Sequence, residues 1–581
     1  MTVAATAAAA VAPGSQCDAA ATLLPPLRAA FDRATQALAQ RCAGAGGLNA
    51  DALDAQQLPC FELAWTRADL LAAETVLLDI TNKSSELDTH LALIFSAEAI
   101  AAVLARLEGL HLHLGLDLAP LQALHSDPAW AAMRREANSS AVLGHVGKAL
   151  ARGGVEIGTV ELDEPHQMAQ QAFRRFGEEV VAPQAAAIHR DNLTVPESLL
   201  QPLREMGVFG LAIPERYGGS APNDRDDTLM MVVVTEALSE ASLAAAGSLI
   251  TRPEILSRAL LQGGSEAQKA LWLPQIASGS PLCAISITEP DHGSDVANLT
   301  LKATPTAGGW LLNGAKSWCT FAGKAGLLMV VARTHSDKAL GHRGLSLMLV
   351  EKPSHDGHAF DFVQPGRDAA NAPSHAGTAQ TAGGRLRGQA IHTIGYRGMH
   401  SFELSFEDFF VPDDRVIGEQ AGLGKGFYFT MAGMVGGRMQ TAARATGVMR
   451  AALRAAVQYA GDRRVFGAPL IDYPLTLAKL ARMAARLAAC RQLAYAVARQ
   501  LDAGGDRSQA SLVKLLACRS AEMVTREALQ IHGGMGYAEE SAVSRYFVDA
   551  RVLSIFEGAE ETLALKVIAR NLLENALENA A

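Results

Sequence analysis

The spacing of apolar residues changes twice along this chain, near residues 280 and 413. Before the first point and after the second, apolar side chains recur at intervals of three and four, which predicts helices with one buried face. Between them, short runs such as CAISIT, LLMVVART and LSLMLV are separated by turn residues, a pattern typical of strands. The sequence therefore predicts a mainly α protein with a central antiparallel β domain.

The chain has 581 residues, more than one hydrophobic core organises, so we expect several domains. We predict an N-terminal helical extension over residues 1–160 with a disordered start, an N-terminal α domain over 161–280, a β-sheet domain over 281–413 and a C-terminal helical bundle over 414–581. Apolar periodicity predicts helical segments at Leu24–Ala39, Cys60–Ile80, Leu87–Leu116, Pro128–Ala151, Phe427–Gly461, Tyr473–Ala503, Ser508–His532 and Gly558–Ala576. Residues 351–389 are rich in Gly, Ala and His, and this composition predicts a mobile surface insertion.

Composition argues against several classes of partner. The net charge of −9 draws the protein toward neither nucleic acid nor anionic lipid. The apolar start MTVAATAAAAVAPG is short and has no basic residue before it, so we expect no membrane span and a cytoplasmic protein. Seven cysteines without CxxC spacing indicate free thiols. His111 and His113 are two residues apart, the wrong spacing for one helix face, so we expect no metal.

The C-terminal stretch that begins QIHGGMGYAEE carries the strongest chemical signal. An apolar run ends there in a single carboxylate, Glu557, followed by Gly558. On pattern alone, Glu557 is either a helix N-terminal residue favoured by the helix dipole or a general base in a dry pocket.

The motifs GGMGYAEE, RYFVDAR and FEGAEE together resemble the C-terminal signature of the acyl-CoA dehydrogenase family. The resemblance implies the fold of that family: a helical domain, a β domain and a C-terminal four-helix bundle. It also implies that Glu557 is the base that removes the α-proton of an acyl thioester, with Gly558 and Arg438 beside the substrate. Some family members carry the base one residue before this arginine, where Gly437 stands here.

Two further motifs resemble the flavin site of the family. In SITEPDHGSDV, Ile287 and Thr288 match positions that bond the pyrimidine side of the flavin, and Ser294 matches a serine near CoA. Asp291–His292 depart from the usual small residues of that loop. In NGAKSWCTFAG, Trp318 and Thr320 match residues that cover the flavin ring and bond near its N5. The implied cofactor is FAD.

Other matched residues point to a second subunit. In YAGDRRVFGAPL, Arg463 and Phe466 match residues that reach the FAD of a neighbouring protomer, and Gln530, Gly533 and Gly534 would complete that site. We therefore expect a homodimer or homotetramer. The segment AGLGKG contains GxGxG but follows no strand of a βαβ unit, so we reject a dinucleotide-binding motif there.

The reaction implied by this resemblance is α,β-dehydrogenation of an acyl-CoA, with electron-transfer flavoprotein as electron acceptor. The extension and the C-terminal segment resemble those of family members that act on a short, branched, dicarboxylic acyl group, and this resemblance implies such a substrate. Its free carboxylate would need a cation such as Arg252, although a surface arginine is the plainer interpretation. Three alternatives stay open: a dehydrogenase for another short acyl-CoA, an acyl-CoA oxidase, and a flavin-containing DNA-associated protein of the same fold.

Overall fold

The computed structural model describes residues 13–80, 84–154, 156–366 and 383–579. Most of the predicted disordered start and most of the glycine-rich part of the predicted insertion lie outside these residues. Within them, helices precede and follow one large sheet, so the predicted mainly α architecture with a central β domain is confirmed.

Among its described residues, the extension contains eight helices and one minimal hairpin. The helices are α1 (Pro13–Ala21), α2 (Leu24–Arg41), α3 (Ala50–Ala55), α4 (Gln57–Asp79), α5 (Glu86–Leu114), α6 (Ala119–His125), α7 (Pro128–Ala137) and α8 (Ser140–Gly153), and the hairpin is β1 (Ala43–Gly44) with β2 (Gly47–Leu48). The single predicted segment Pro128–Ala151 was wrong as one helix. It breaks because the Ser139 side chain accepts a hydrogen bond from the Val142 N–H and so starts a new helix.

The helices of the next segment reach almost to the sheet. They are α9 (Glu164–Phe176), α10 (Ala182–Arg190), α11 (Glu197–Glu205), α12 (Thr228–Ala241), α13 (Thr251–Gly263) and α14 (Glu266–Ala277), with a π-helical turn at Gly177–Val181. The side chains of α12 and α13 are almost all buried, since α16 of the C-terminal bundle packs against both.

The sheet has eight strands: β3 (Cys283–Ser286), β4 (Lys302–Thr306), β5 (Gly309–Thr320), β6 (Leu327–Arg333), β7 (Leu345–Glu351), β8 (Ala359–Val363), β9 (Arg385–Ala390) and β10 (Ser401–Pro412). Their order is β3-β6-β4-β5-β10-β9-β8, with β7 also paired to β6. Most pairs are antiparallel as predicted, but β6 pairs in parallel with β3 and, at one position, with β4. The predicted insertion is corrected in part, because β8 and most of β9 fall inside it and pair with each other.

The C-terminal part contains α15 (Glu419–Gly422), α16 (Gly426–Asp462), α17 (Pro474–Asp502), α18 (Gln509–His532), α19 (Ala542–Arg551), α20 (Glu560–Thr562) and α21 (Arg570–Glu578), with a small hairpin β11 (Arg464–Val465) and β12 (Ala468–Pro469). The predicted bounds of α16, α17 and α18 hold to within one residue. The predicted start at Gly558 is wrong, because Gly558 has φ +97° and Ala559 is extended. A π-helical segment, Leu563–Ala569, then joins α20 to α21.

The extension packs directly against the C-terminal helices. α8 contacts α17 so closely that a Cβ added to Gly147 would lie 2.8 Å from Leu477. The Trp65 ring of α4 has two guanidinium groups over it, Arg106 from α5 and Arg519 from α18. One helix, α5, is long and apolar enough to cross a membrane, but 72% of its most apolar window is buried in the protein, as in the core helix of a helical domain.

All seven cysteines are free and buried, as the sequence predicts. Burial raises the pKa of several of these thiols, among them Cys60 to about 12, which keeps them protonated and unreactive at neutral pH.

Candidate active site

The backbone around Glu557 holds an unusual conformation. Glu557 has φ +54°, a value that L-residues rarely adopt, and Gly558 follows with φ +97°. The buried Lys514 of α18 donates a hydrogen bond of 2.7 Å to the Gly558 carbonyl oxygen. This bond and the glycine fix a sharp turn that projects the Glu557 side chain away from its own chain segment.

The Glu557 carboxylate lies over α16. A Cβ added to Gly437 would lie 3.1 Å from Glu557 Oε2 and 3.4 Å from Ile255 Cδ1. The absence of a side chain at 437 therefore leaves the space that the carboxylate occupies. The two positions to which the resemblance assigns the base, 437 and 557, therefore face each other, and only position 557 holds a carboxylate.

Positive charge surrounds Glu557. Arg438, Arg444 and Lys514 all interact with it electrostatically, and Arg252 interacts in turn with Arg444. Burial lowers the pKa of Arg438, Arg444 and Lys514, since the charged form loses water. We name these four side chains the cation group. In the described part of the chain, none of them has a carboxylate within ion-pair distance.

The arginines of the cation group have polar contacts but remain incompletely paired. Arg438 donates to Ser511 Oγ at 3.2 Å, and Arg444 donates to Thr441 Oγ1 at 2.6 Å. The Nε atoms of both arginines are buried without a hydrogen-bond partner. Arg252, which the plainer interpretation placed on the surface, is buried and donates to the Tyr396 hydroxyl at 3.2 Å.

Tyr396 joins this group to the rest of the site. Its ring packs edge-on against Phe556, next to Glu557, with ring centroids 5.4 Å apart. Its own φ is +59°, and its backbone N–H donates at 2.6 Å to the buried Asp549 carboxylate. Burial raises the pKa of Asp549 to about 6, although the bond from Tyr396 and the charge of Arg545 oppose the shift.

Asp549 gives a pH prediction. Its pKa in the folded protein, about 6, exceeds the ordinary value of 3.8, so the folded state binds the proton more tightly than the unfolded state. Stability should therefore fall as pH rises from about 4 to 6, by on the order of 1–3 kcal/mol, and then level off. Asp549→Asn should lose this decline while keeping an acceptor for the Tyr396 N–H. Thermal unfolding at several pH values measures this decline in stability, and Asp191→Asn, which changes an exposed residue, is the control. Equal declines in wild type and Asp549→Asn would show that Asp549 does not cause the decline.

The loop SITEPDHGSDV lies between the sheet and this site. Lys316, buried on β5, donates to the Ile287 carbonyl oxygen at 2.7 Å, and the Ser317 N–H donates to the Thr288 carbonyl oxygen at 2.8 Å. Farther along the loop, Ser294 Oγ accepts a hydrogen bond of 2.9 Å from Thr562, five residues after Glu557. The structure therefore brings Ser294 to the Glu557 segment.

The residues matched to a flavin present a fitting surface. Trp318 sits on β5 with φ +58°, and 56% of its side chain is exposed although its neighbours Ser317 and Cys319 are buried. An exposed indole at the end of a strand offers a flat face to an aromatic ring. The Thr320 hydroxyl is 2.9 Å from Ser401 Oγ and half-buried. A large exposed aromatic side chain two residues before the half-buried Thr320 hydroxyl suits an isoalloxazine ring.

The remaining matched residues form a second group at the far end of the bundle. Tyr459 and His532 stack with centroids 4.2 Å apart, which joins the end of α16, before Arg463 and Phe466, to the end of α18. Gln530, Gly533 and Gly534 are exposed there. At 1.5 Å per residue, Gln530 is about 28 Å along α18 from Ser511, which contacts Arg438. One chain therefore does not bring this second group to Glu557.

The structure adds Lys514, Arg444, Tyr396 and Asp549, which the sequence analysis missed. A signal existed for Lys514, a charged residue within the apolar run SLVKLLAC of α18, where it is buried. Tyr396 lies in a loop before β10, and nothing in its local sequence indicates the positive φ or its contact with the arginines.

Three family models match the chain in succession. They describe the acyl-CoA dehydrogenase N-terminal domain (residues 163–280), middle domain (284–409) and C-terminal domain (424–573). The chain is also 35% identical over 574 residues to the (2S)-methylsuccinyl-CoA dehydrogenase of Cereibacter sphaeroides, which covers 96% of this chain and 98% of that protein. The chain belongs to the acyl-CoA dehydrogenase family.

This acyl-CoA dehydrogenase is an oxidoreductase that acts on CH–CH groups. It is 32% identical to the mitochondrial isovaleryl-CoA dehydrogenase of Oryza sativa subsp. japonica, over 71% of this chain and 92% of that protein. The solved butyryl-CoA dehydrogenase of Megasphaera elsdenii matches at a TM-score of 0.62 and 29% identity, over 71% of this chain and 100% of that one. Membership in this family implies a flavin cofactor.

Proposed function

We propose that this acyl-CoA dehydrogenase uses FAD to oxidise (2S)-methylsuccinyl-CoA to mesaconyl-CoA, a step of the ethylmalonyl-CoA pathway. The similarity to the Cereibacter sphaeroides protein spans 96% of the chain and so includes the extension. The isovaleryl-CoA and short-chain acyl-CoA dehydrogenases align with only 71 or 72% of this chain. The extension therefore supports the substrate of the Cereibacter sphaeroides protein over those of the other relatives.

The cation group is the observation that carries the proposal of a dicarboxylic substrate. Burying a charge without a partner is costly, and here Arg252, Arg444 and Lys514 are buried with no carboxylate in ion-pair reach among the described residues. A bound anion would offset that cost. The free carboxylate of methylsuccinyl-CoA supplies such an anion, and the unpartnered Nε of Arg438 and of Arg444 are donors for it.

Glu557 acts as the base in this proposal. Its carboxylate removes the α-proton of the thioester and becomes neutral; before that transfer, Arg438 and Lys514 offset its negative charge. Lys514 also holds the Gly558 turn, so the direction of the Glu557 side chain is fixed before substrate binds. Ser294, which is hydrogen-bonded to Thr562 in the segment after Glu557, would contact the CoA moiety in this proposal.

FAD when bound supplies the hydride acceptor for the β-carbon. Ile287, Thr288, Trp318 and Thr320 would hold it, with Trp318 covering the ring. Lys316 supports this surface from behind, since it fixes the Ile287 carbonyl and pairs with the buried Glu289 at 2.9 Å.

The second group serves a neighbouring protomer in this proposal. Phe466 is 98% exposed, with φ +49°, beside Arg463. An aromatic side chain held outward in this way is suited to burial in an interface. Because Gln530 lies about 28 Å along α18 from the Glu557 end, in this proposal these residues contact the flavin of a neighbouring protomer in a homodimer or homotetramer. We further propose a cytoplasmic enzyme that passes electrons to electron-transfer flavoprotein.

A substrate comparison tests the proposal. (2S)-Methylsuccinyl-CoA has a carboxylate at the end of its acyl chain, where 2-methylbutyryl-CoA has a methyl group. We expect kcat/KM to favour the first, and Arg438→Gln to lower kcat/KM for it by about 10- to 100-fold more than for the second, the magnitude of a charge-assisted hydrogen bond. The ratio between substrates separates carboxylate binding from an effect on Glu557.

The exposed Arg135→Gln, on α7 of the extension, is the matched control and should leave the ratio unchanged. Equal losses on both substrates in Arg438→Gln would remove Arg438 from carboxylate binding. A wild-type enzyme that prefers 2-methylbutyryl-CoA would refute the dicarboxylic substrate and leave the family assignment intact.

A further inference from the structure

A second cluster of chemically reactive side chains lies in the extension. Glu86 and His90 are one turn apart on α5, and His145 projects from α8. One ligand atom from each of the three lies within 4.8 Å of the others. The two imidazole rings are edge-on with centroids 5.5 Å apart. Two imidazoles and one carboxylate are a ligand set that suits zinc and neighbouring transition metals.

The buried histidine of this cluster has an unused ring nitrogen. His90 is only 6% exposed, yet its Nδ1 is buried without any hydrogen-bond partner. The other fully buried histidine of the extension, His111, has both ring nitrogens engaged, with the carbonyl oxygens of Asp117 at 3.0 Å and Ala30 at 3.1 Å. A buried polar atom normally has a hydrogen-bond or metal partner, so the unpaired Nδ1 of His90 indicates a binding site for one.

We propose that Glu86, His90 and His145 bind one divalent transition metal ion of the zinc class and that this ion clamps α5 to α8. The side chains of Glu86 and His145 are exposed, so they are free to rotate and close the 4.8 Å spread to the shorter ligand separations that bonds of about 2.0–2.2 Å require. A water molecule completes a four-coordinate ion. The carboxylate of Glu136, at the end of α7, also acts electrostatically on His90 and adds negative potential for a cation.

The position of the site gives it a structural role. α8 is packed on α17 of the C-terminal bundle, and α5 also contacts α17. An ion that joins α5 to α8 therefore stiffens the part of the extension that rests on the catalytic domains. Because binding occurs only in the folded state, the ion stabilises the protein by RT ln(1 + M/Kd), where M is the free metal concentration.

Titration with Co²⁺ tests the proposal on the full chain with its flavin, after treatment with a chelator. We expect one high-affinity Co²⁺ per chain by calorimetry and a higher melting temperature with added Zn²⁺. His145→Ala and Glu86→Gln change exposed side chains and should fold normally. Each should weaken Co²⁺ binding by at least the 10- to 100-fold seen when an outer partner of a metal ligand is lost.

His125→Ala, an exposed histidine on α6, is the matched control and should bind Co²⁺ as the wild type does. Absence of high-affinity Co²⁺ binding in the wild type would overturn the proposal. Equal affinity in the wild type, His145→Ala and Glu86→Gln would also overturn it, since the ion would then be bound elsewhere. None of these outcomes depends on dehydrogenase activity.

Discussion

Glu557→Gln is expected to slow flavin reduction by acyl-CoA by about 10²- to 10⁴-fold, the contribution of a well-placed general base. The amide keeps the size of the carboxylate and its place over Gly437, where an added Cβ would lie 3.1 Å from Glu557 Oε2. It has no basicity with which to take the α-proton. Anaerobic stopped-flow measurement of flavin bleaching records the rate without involving any electron acceptor.

The matched control is Glu560→Gln, three residues later, whose carboxylate pairs with Arg519 outside the cation group. Its bleaching rate should stay within about threefold of wild type, because the pair lost is a partly exposed one at the protein surface. Binding of the acyl-CoA should persist in Glu557→Gln, which separates loss of chemistry from loss of folding. Bleaching at the wild-type rate in Glu557→Gln would remove the base assignment.

The same experiment distinguishes two of the remaining alternatives. An acyl-CoA oxidase would be bleached equally well but would then form peroxide at once when oxygen is admitted. A flavin-containing DNA-associated protein of the same fold would not be bleached by acyl-CoA and would bind DNA in a salt-sensitive way. The retained Glu557 beside buried cations favours the acyl-CoA reaction.

The fold was largely predictable because its longest elements carry strong local signals. α16, α17 and α18 span 24 to 37 residues with apolar spacing throughout, so their bounds were predicted to within one residue. The predictions were wrong where a local hydrogen bond or a long-range strand pairing determines the secondary structure. The break between α7 and α8 depends on the Ser139 cap, and β8 and β9 depend on each other.

The site was predictable in its motifs but not in its assembly. The family resemblance of short local motifs singled out Glu557 as the candidate base and Trp318 as a candidate flavin-covering residue. The φ +54° of Glu557, its position over Gly437 and the convergence of Arg252, Arg444 and Lys514 arise from packing between helices far apart in sequence. Periodicity identifies which face of a helix is buried, but it does not identify which buried faces meet.

A buried ionic network holds the extension to the catalytic helices. Glu236 of α12 is 1% exposed and accepts hydrogen bonds from Arg491 at 3.0 Å and from the Tyr495 hydroxyl at 2.5 Å. Arg491 also donates to the carbonyl oxygen of Gly158, in the segment that follows α8. The attraction of Arg491 and Arg450 lowers the pKa of Glu236 to about 2, against the opposing effect of burial.

Glu236→Ala should lower the apparent free energy of unfolding by about 3–5 kcal/mol, since it leaves the buried Arg491 without its counter-charge. Because the pKa of Glu236 is depressed from 4.5 to about 2, the wild-type contribution is complete above the unfolded value and is lost as pH falls toward 2, so the two proteins should converge in acid. Denaturant unfolding of wild type and Glu236→Ala at pH 7 and pH 3 measures the loss of stability and its decrease in acid. Glu178→Ala removes an exposed partner of Arg454 and should cost less than about 1 kcal/mol. A Glu236→Ala protein as stable as Glu178→Ala at pH 7 would show that this network does not bind the extension to the catalytic helices.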